Sequence, residues 1–220
     1  MARDISRQSD LGPRPLLCHR GTSAKGWKPD FKLTHDRLER KNAFGGKFVY
    51  QRRMITAMIR ILGVDPGLRA TGWGVIEAAG SRLSFVGCGS IQTDAASELA
   101  ERLASIHRSL AGLVEREGPH EAAIEETFVN RDPQSTLKLG QARGVALASL
   151  ALSGLPVAEY AANLIKKTVV GVGHAEKRQV AMMVRMLLPA STASTPDAAD
   201  ALAVAICHAQ HRLGRARGAA

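Results

Sequence analysis

The 220-residue sequence has few cysteines, few aromatic residues and no long apolar run. Its three cysteines, Cys18, Cys88 and Cys207, lie far apart and form no CxxC pair. This pattern argues against a disulfide framework or a zinc knuckle and indicates a reducing, cytoplasmic setting. No stretch reaches the roughly 18 apolar residues that a membrane-spanning helix needs, and the N-terminus lacks the apolar core of a secretory signal. These absences exclude a membrane protein and a disulfide-stapled secreted domain.

Acidic residues are scarce at the start of the chain. Residues 1–57 hold 13 Lys and Arg against 5 Asp and Glu, a net charge of +8, whereas residues 58–220 hold 17 against 15, a net charge of +2. The total of +10 suggests a polyanionic partner. Most of that charge, however, lies in a segment that shows no apolar period of 2 or 3.6. Aromatic residues interleave with the cations of this segment, as in arms that bind nucleic acid.

We expect residues 1–57 to be a disordered basic N-terminal extension. Met58 opens an apolar strand, so one interpretation is that translation starts there and that the residues before it are read-through or added sequence. A disordered native arm and a folded unit are the alternatives. The folded domain is predicted to span residues 58–213, and residues 214–220 are predicted to form a flexible tail.

The pattern from Met58 onward predicts an α/β domain. Three consecutive apolar runs separated by turn residues predict an antiparallel meander at 59–64, 71–77 and 83–91. Two later short strands are predicted at 121–126 and 155–160. Helical periods and caps predict helices at 97–117, 132–153, 161–170, 175–188 and 197–213. This order predicts a mixed five-stranded sheet, with three antiparallel strands followed by parallel strands, and helices on both faces.

Four acidic residues stand at the ends of predicted elements. Asp65 ends the first strand and Glu125 the fourth, while Asp197 and Asp200 are spaced to share one face at the start of the last helix. Each has an ordinary structural explanation when taken alone. If the element ends converge, the carboxylates share one pocket and must either protonate or bind a cation. Ligands that are all oxygen favour Mg²⁺ or Mn²⁺ over zinc.

Several blocks of sequence follow one another with compact spacing between residue 58 and about residue 210. They are ILGVDPG at 61–67 with TGWG at 71–74, AIE at 123–125 with Phe128, LKLGQARG at 137–144, VVG at 169–171 through AEK at 175–177, and DAADALA at 197–203. In this order the blocks resemble the RuvC crossover junction endodeoxyribonucleases, a family of the RNase H-like superfamily. The predicted fold class is therefore an RNase H-like α/β domain.

The resemblance implies both the chemistry and the partners of the chain. Asp65, Glu125, Asp197 and Asp200 become the catalytic carboxylates and hold two Mg²⁺ ions, for which Mn²⁺ can substitute. The implied substrate is the four-way Holliday junction of recombination and DNA repair, cut symmetrically by a homodimer. A metal-activated water leaves 5′-phosphate and 3′-hydroxyl ends. The implied protein partners are the branch-migration proteins RuvA and RuvB.

The predicted DNA contacts are one aromatic and four cations: Phe128, Lys177, Lys166, Lys138 and Arg143. By resemblance, Phe128 enters the junction centre, and Lys166 and Lys177 lie beside the scissile strand. Lys167, next to Lys166, leaves that assignment open. The positions of Lys138 and Arg143 on the helix after the Phe128 loop suit phosphate contacts, and a merely solvated helix face is the alternative.

Two further sets of polar residues are left outside the predicted site. Glu126 follows Glu125 directly and should point to the other side of its strand. His208 and His211 lie three apart on the last helix, and near a helix C-terminus they are expected to be dipole-compensating or surface residues.

Three other functions remain open at this stage. An actin-like phosphotransferase also begins with a G-x-D-x-G turn, but that fold needs two such domains and the stretch after Met58 is too short for both. A non-catalytic junction-binding module would require the loss of one carboxylate, and all four are present. A nuclease of the same superfamily that cuts RNA–DNA hybrids is the nearest rival.

Overall fold

The computed structural model describes residues 58–127 and 132–218, with side chains described as far as residue 212. The strands are β1 (Ile59–Asp65), β2 (Ala70–Ala79), β3 (Arg82–Gln92), β4 (Glu121–Glu125) and β5 (Val157–Tyr160). The helices are α1 (Leu99–Glu117), α2 (Pro133–Leu152), α3 (Ala162–Val170), α4 (Lys177–Leu187) and α5 (Pro196–Gly218). The predicted N-terminal extension and Phe128 lie outside the described residues.

The strands form one mixed sheet with the order β3-β2-β1-β4-β5. β1 pairs with β2 and β2 with β3 in antiparallel register, whereas β4 runs parallel to both β1 and β5. The predicted mixed sheet is thereby confirmed. Val64 lies beside Ile124 in the parallel pair, so Asp65 and Glu125 end neighbouring strands at the same edge of the sheet.

Helices cover both faces of the sheet, as predicted. The alternation of side chains along a strand separates two apolar cores. Ile61 and Ala123 face a core built with α3, α4 and α5. Leu62 and Ile124 face a second core built with α1 and α2.

Glycines let helix α5 lie directly on the backbone of β1 and β2. A Cβ at Gly63 would lie 2.2 Å from the carbonyl oxygen of Ala201. A Cβ at Gly72 would lie 2.1 Å from the carbonyl oxygen of Asp197. Both distances are far shorter than van der Waals contact, so only glycine fits at these two positions. This close approach brings the first turns of α5 to the edge of the sheet where Asp65 lies.

Helix α2 begins where the sequence predicts. Both carboxylate oxygens of Asp132 accept hydrogen bonds from backbone N–H groups, at 3.1 Å from Gln134 and 3.1 Å from Ser135. Pro133 occupies the first helical position, where its missing N–H costs no helical hydrogen bond. Asp132 is therefore the predicted N-cap, and it sets where α2 starts after the Phe128 loop.

Several helix boundaries differ from the prediction by one or more residues, among them the start of α4 and the end of α5. α4 begins at Lys177 rather than 175, because Glu176 and Gln179 form a capping box at its start. α5 continues to Gly218, five residues past the predicted end at Leu213. Alanine and arginine have high helix propensity, and cations near a helix C-terminus stabilise the dipole, which outweighs the glycine at 214. Within the described chain, no helix combines the length and apolar character needed to cross a bilayer.

We expect Gly63→Ala to destabilise the domain by about 1–3 kcal/mol, because the new methyl group overlaps the backbone of α5. Thermal or urea unfolding of the variant measures the loss. The matched control is Gly112→Ala in α1, where a Cβ meets no atom within 4 Å and alanine should stabilise the helix by about 0.5–1 kcal/mol. Equal stabilities for the two variants would contradict the close approach of α5.

Candidate active site

A small cavity opens where β1, β4 and three helices meet. Its volume is about 180 Å³. It is lined by three carboxylates, two lysines and four apolar side chains: Asp65, Glu125, Asp200, Lys166, Lys177, Ala162, Ile165, Val180 and Ala203. Five residues of the sequence-predicted site therefore share one pocket, although they come from five separate elements of the chain.

The Asp65 carboxyl group is difficult to ionise in this site. Burial, followed in order of importance by the negative charges of Glu125, Asp200 and Asp197, raises the pKa of Asp65 to about 7. The Lys177 ammonium opposes this rise. Desolvation and neighbouring carboxylates both disfavour an ionised acid. The Asp65 carboxylate therefore needs more positive charge than this chain supplies to be fully ionised at neutral pH.

The Glu125 carboxyl group, at the end of the neighbouring strand, is also difficult to ionise. Burial and, to a smaller extent, the Asp200 carboxylate raise the pKa of Glu125 to about 7. Lys177 and Lys166 pull the pKa in the opposite direction. Lys166, rather than Lys167, is the lysine of α3 that lines the cavity. This placement favours Lys166 for the basic position that the sequence left open.

The two acids at the start of α5 differ in position. Asp200 lines the cavity, and its carboxylate accepts a hydrogen bond from the Lys177 ammonium at 3.3 Å. This ion pair raises the pKa of Lys177. Asp197 does not line the cavity, although its charge contributes to the raised pKa of Asp65. Asp197 is therefore a more distant member of the predicted set.

The donor chemistry of this cluster fits a hard divalent cation. All four candidate ligands are carboxylates, and burial and the neighbouring carboxylates raise the pKa of Asp65 and Glu125 to about 7. A bound cation would remove that penalty, and oxygen donors suit Mg²⁺ and Mn²⁺. In the described part of the chain, no three His, Cys, Asp or Glu side chains are gathered closely enough to hold a metal as they stand. Ligation therefore requires the carboxylates to draw together from these positions.

Hydrogen bonds that the sequence did not indicate hold the turn after Asp65. The Thr71 hydroxyl donates to the carbonyl of Gly67 at 2.7 Å. The Thr93 hydroxyl donates to the carbonyl of Leu68 at 2.5 Å, and Arg102 donates to Thr93 Oγ1 at 2.9 Å. Thr93 and Arg102 lie far from Asp65 along the chain and belong to no recognisable motif, so sequence reasoning had no signal for them.

The two cations predicted on α2 have different surroundings. Lys138 is exposed to solvent. Arg143 instead turns toward the sheet, where its Nε donates to the carbonyl oxygen of Glu125 at 3.3 Å and its Nη2 donates to the Glu159 carboxylate. Glu126 does not line the cavity, and its backbone N–H donates to the carbonyl of Tyr160 at 2.9 Å.

His208 is not the surface or dipole-compensating residue that its position predicts. It is only 7% exposed. Its Nδ1 lies 2.8 Å from the Tyr160 hydroxyl, and its Nε2 lies 2.8 Å from the Glu121 carboxylate. Arg212 donates to the other oxygen of Glu121 at 2.8 Å. The prediction was wrong for His208. Its position on the helix could not show that its side chain packs against residues of β4 and β5.

Comparisons with known proteins identify a family of similar chains. A family model described as crossover junction endodeoxyribonuclease RuvC matches residues 61–208. Proteins named crossover junction endodeoxyribonuclease RuvC are 69% identical in Methylocella silvestris, over 74% of this chain and 93% of the relative, and 65% identical in Beijerinckia indica, over 72% and 91%. The matches cover nearly the whole length of these relatives.

Solved structures show the same architecture. T. thermophilus RuvC in complex with a Holliday junction substrate is 31% identical, with a TM-score of 0.67 over 72% of this chain and 97% of that chain. The yeast mitochondrial Holliday junction resolvase Ydc2 is 14% identical, with a TM-score of 0.52 over 76% and 89%, which supports the fold alone. By its family model, its curated relatives and its fold, this chain belongs to the RuvC family of crossover junction endodeoxyribonucleases.

Proposed function

We propose that the chain is a metal-dependent endonuclease that resolves four-way Holliday junctions in homologous recombination and DNA repair. The observation that carries the proposal is the cavity in which Asp65, Glu125 and Asp200 meet Lys166 and Lys177. Metal-dependent phosphodiester hydrolysis requires carboxylates that bind a metal cation and basic side chains that attract the phosphate. The relatives named crossover junction endodeoxyribonucleases give the reaction class, and the junction-bound T. thermophilus RuvC gives the substrate class.

The proposed metal ligands are the four carboxylates, Asp65, Glu125, Asp197 and Asp200. We propose two Mg²⁺ ions, replaceable by Mn²⁺, because four oxygen donors with a shared excess of negative charge suit a pair of hard cations. When bound, such ions supply Lewis-acid stabilisation of phosphoryl oxygens and a nucleophilic water at neutral pH. The expected products carry 5′-phosphate and 3′-hydroxyl ends.

The side chains around the carboxylates bind and orient the DNA in this proposal. The Lys177 side chain is 79% exposed, so its ammonium can meet a phosphate while staying near Asp200. Lys166 lines the same cavity and can hold the scissile phosphate or stabilise the charge that develops in the transition state. Exposed Lys138 is a proposed phosphate contact, and Phe128 is proposed to stack in the junction centre.

Symmetric resolution also implies an assembly. A four-way junction presents two equivalent strands for cleavage, and a two-fold homodimer places one site on each. We therefore propose a homodimer in the cytoplasm that works with the RuvA and RuvB branch-migration proteins. The family membership of this chain supports that proposal.

We expect Asp65→Asn to bind a mobile four-way junction and fail to cut it. The amide keeps the size of the side chain but removes a ligand charge, so the cleavage rate should fall at least about 100-fold, a loss of roughly 2.7 kcal/mol of transition-state stabilisation. A gel assay with junction, linear duplex and RNA–DNA hybrid measures both rate and substrate choice. Cutting of the hybrid but not the junction would overturn the proposed substrate.

Neighbouring glutamates provide a matched control for the metal site. We expect Glu125→Gln to lose cleavage as Asp65→Asn does, because the Glu125 side chain lines the cavity. Glu126→Gln removes the same charge one residue later, outside the cavity, and should keep its rate within about 3-fold. A Glu126→Gln variant as inactive as Glu125→Gln would show that the ligand has been misassigned.

We expect metal-free protein to lose stability as the pH rises from about 4 to about 7. The folded-state pKa values of Asp65 and Glu125, about 7, exceed those of an unfolded chain, so the folded state binds more protons and deprotonation destabilises it. Thermal unfolding in EDTA measures the slope. Asp65→Asn should flatten that slope, and Mg²⁺ at pH 7.5 should stabilise the wild type more than this variant. Identical profiles of stability against pH for the wild type and Asp65→Asn would contradict the expectation that ionisation of Asp65 destabilises the folded state.

The basic N-terminal segment gives a separate prediction. If its 13 Lys and Arg contact phosphates, junction binding by the full chain should fall more steeply with salt than binding by residues 58–220, because each neutralised phosphate adds to the salt slope. Filter binding across a salt series measures both slopes. Equal slopes would remove the segment from DNA binding.

A further inference from the structure

The Arg143 side chain bonds to the end of strand β4 rather than reaching into solvent. Its Nε donates to the carbonyl oxygen of Glu125 at 3.3 Å, and its Nη2 donates to the carboxylate of Glu159. Only 22% of the Arg143 side chain is exposed, against 43% for Glu159. The guanidinium therefore uses its donors on two protein oxygens at once, as its planar fork allows and a lysine ammonium does not.

The three groups belong to three different elements. Arg143 lies on α2, Glu125 is the last residue of β4, and Glu159 lies on β5 beside Ile124 in the parallel register. Helix α2 packs most extensively on α1. Arg143 therefore ties this helix to the ends of the two strands at the edge of the catalytic cavity.

The position of Arg143 along α2 also connects it to the proposed DNA contacts. α2 follows Phe128 closely in the sequence, and exposed Lys138 lies five residues before Arg143 on the same helix. DNA that contacts either residue would therefore lie close to helix α2, whose Arg143 bonds to the main chain of Glu125.

We propose that Arg143 is a positioning residue for Glu125, in place of the phosphate contact that its sequence position suggests. By holding the Glu125 carbonyl and the Glu159 carboxylate together, it sets where the Glu125 side chain projects into the metal site. Hydrogen bonds from a guanidinium are charge-assisted, and its planar fork fixes the direction of both donors. This inference rests on the proposed metal-dependent cleavage of junctions.

The test compares Arg143→Gln with Lys138→Gln, which removes a cation from the exposed face of the same helix. Groups that orient a metal ligand typically change metal affinity or activity by about 10- to 100-fold. We expect Arg143→Gln to lower the single-turnover cleavage rate at saturating junction by that factor, with junction affinity within about 2-fold of wild type. Lys138→Gln should instead weaken junction binding and give a shallower salt slope.

Mn²⁺ binding measured by calorimetry without DNA keeps the inference separable from the proposed function. We expect Arg143→Gln to weaken Mn²⁺ binding by about 10-fold or more and Lys138→Gln to leave it unchanged. Should the wild type cut no junction, the proposed function fails, while this measurement still tests the positioning of Glu125. Wild-type Mn²⁺ affinity in Arg143→Gln would overturn the inference, as would weakened junction binding at an unchanged saturated rate.

Two further variants separate positioning from stability. Glu159→Gln removes one partner from a partly exposed site and should shift the saturated rate and Mn²⁺ affinity in the same direction by a smaller factor, with the thermal midpoint nearly unchanged. Arg143→Lys keeps the charge but not the fork, and should restore little of the rate. Full rescue by lysine would show that charge alone matters and would overturn the inference.

Discussion

The close contact between helix α5 and the first two strands is the constraint on which the site depends. Gly63 and Gly72 allow the helix backbone to touch the strand backbone, where any side chain would overlap it. A helix held farther from the sheet would leave its first turn away from the strand ends. Because α5 lies this close, Asp200 enters the cavity formed at the ends of β1 and β4.

This packing creates an electrostatic problem that the chain only partly solves. Parallel pairing of β1 and β4 places Asp65 and Glu125 at one edge, and α5 adds two more acids. Lys177 and Lys166 offset part of the repulsion, and burial raises the cost of what is left. Folding free energy gained in the two apolar cores stabilises a cluster of acids that is unfavourable by itself. A site of this kind is useful only if its ligand brings the missing positive charge.

The fold could be predicted well because its signals are local. Apolar runs, the Asp132-Pro133 start of α2 and the glycine punctuation each depend on neighbouring residues, and the order of elements then leaves few topologies. The positions of the carboxylates were predicted for the same reason, since each lies at the end of a strand or in the first turns of a helix that the pattern defines. Thr93, Arg102 and the inward turn of Arg143 could not be predicted, because their contacts join residues distant along the chain. His208 was placed wrongly for that reason too, since its partners lie on β4 and β5.

The carboxylates come from segments widely separated in the sequence, and α5, the last element, delivers two of them. A ribosome-bound chain that still lacks this helix contains Asp65 and Glu125 but not the other two proposed ligands. The same holds for a chain whose final helix has been clipped or has come loose. The proposed metal site therefore forms only after α5 has been synthesised and has packed on the sheet.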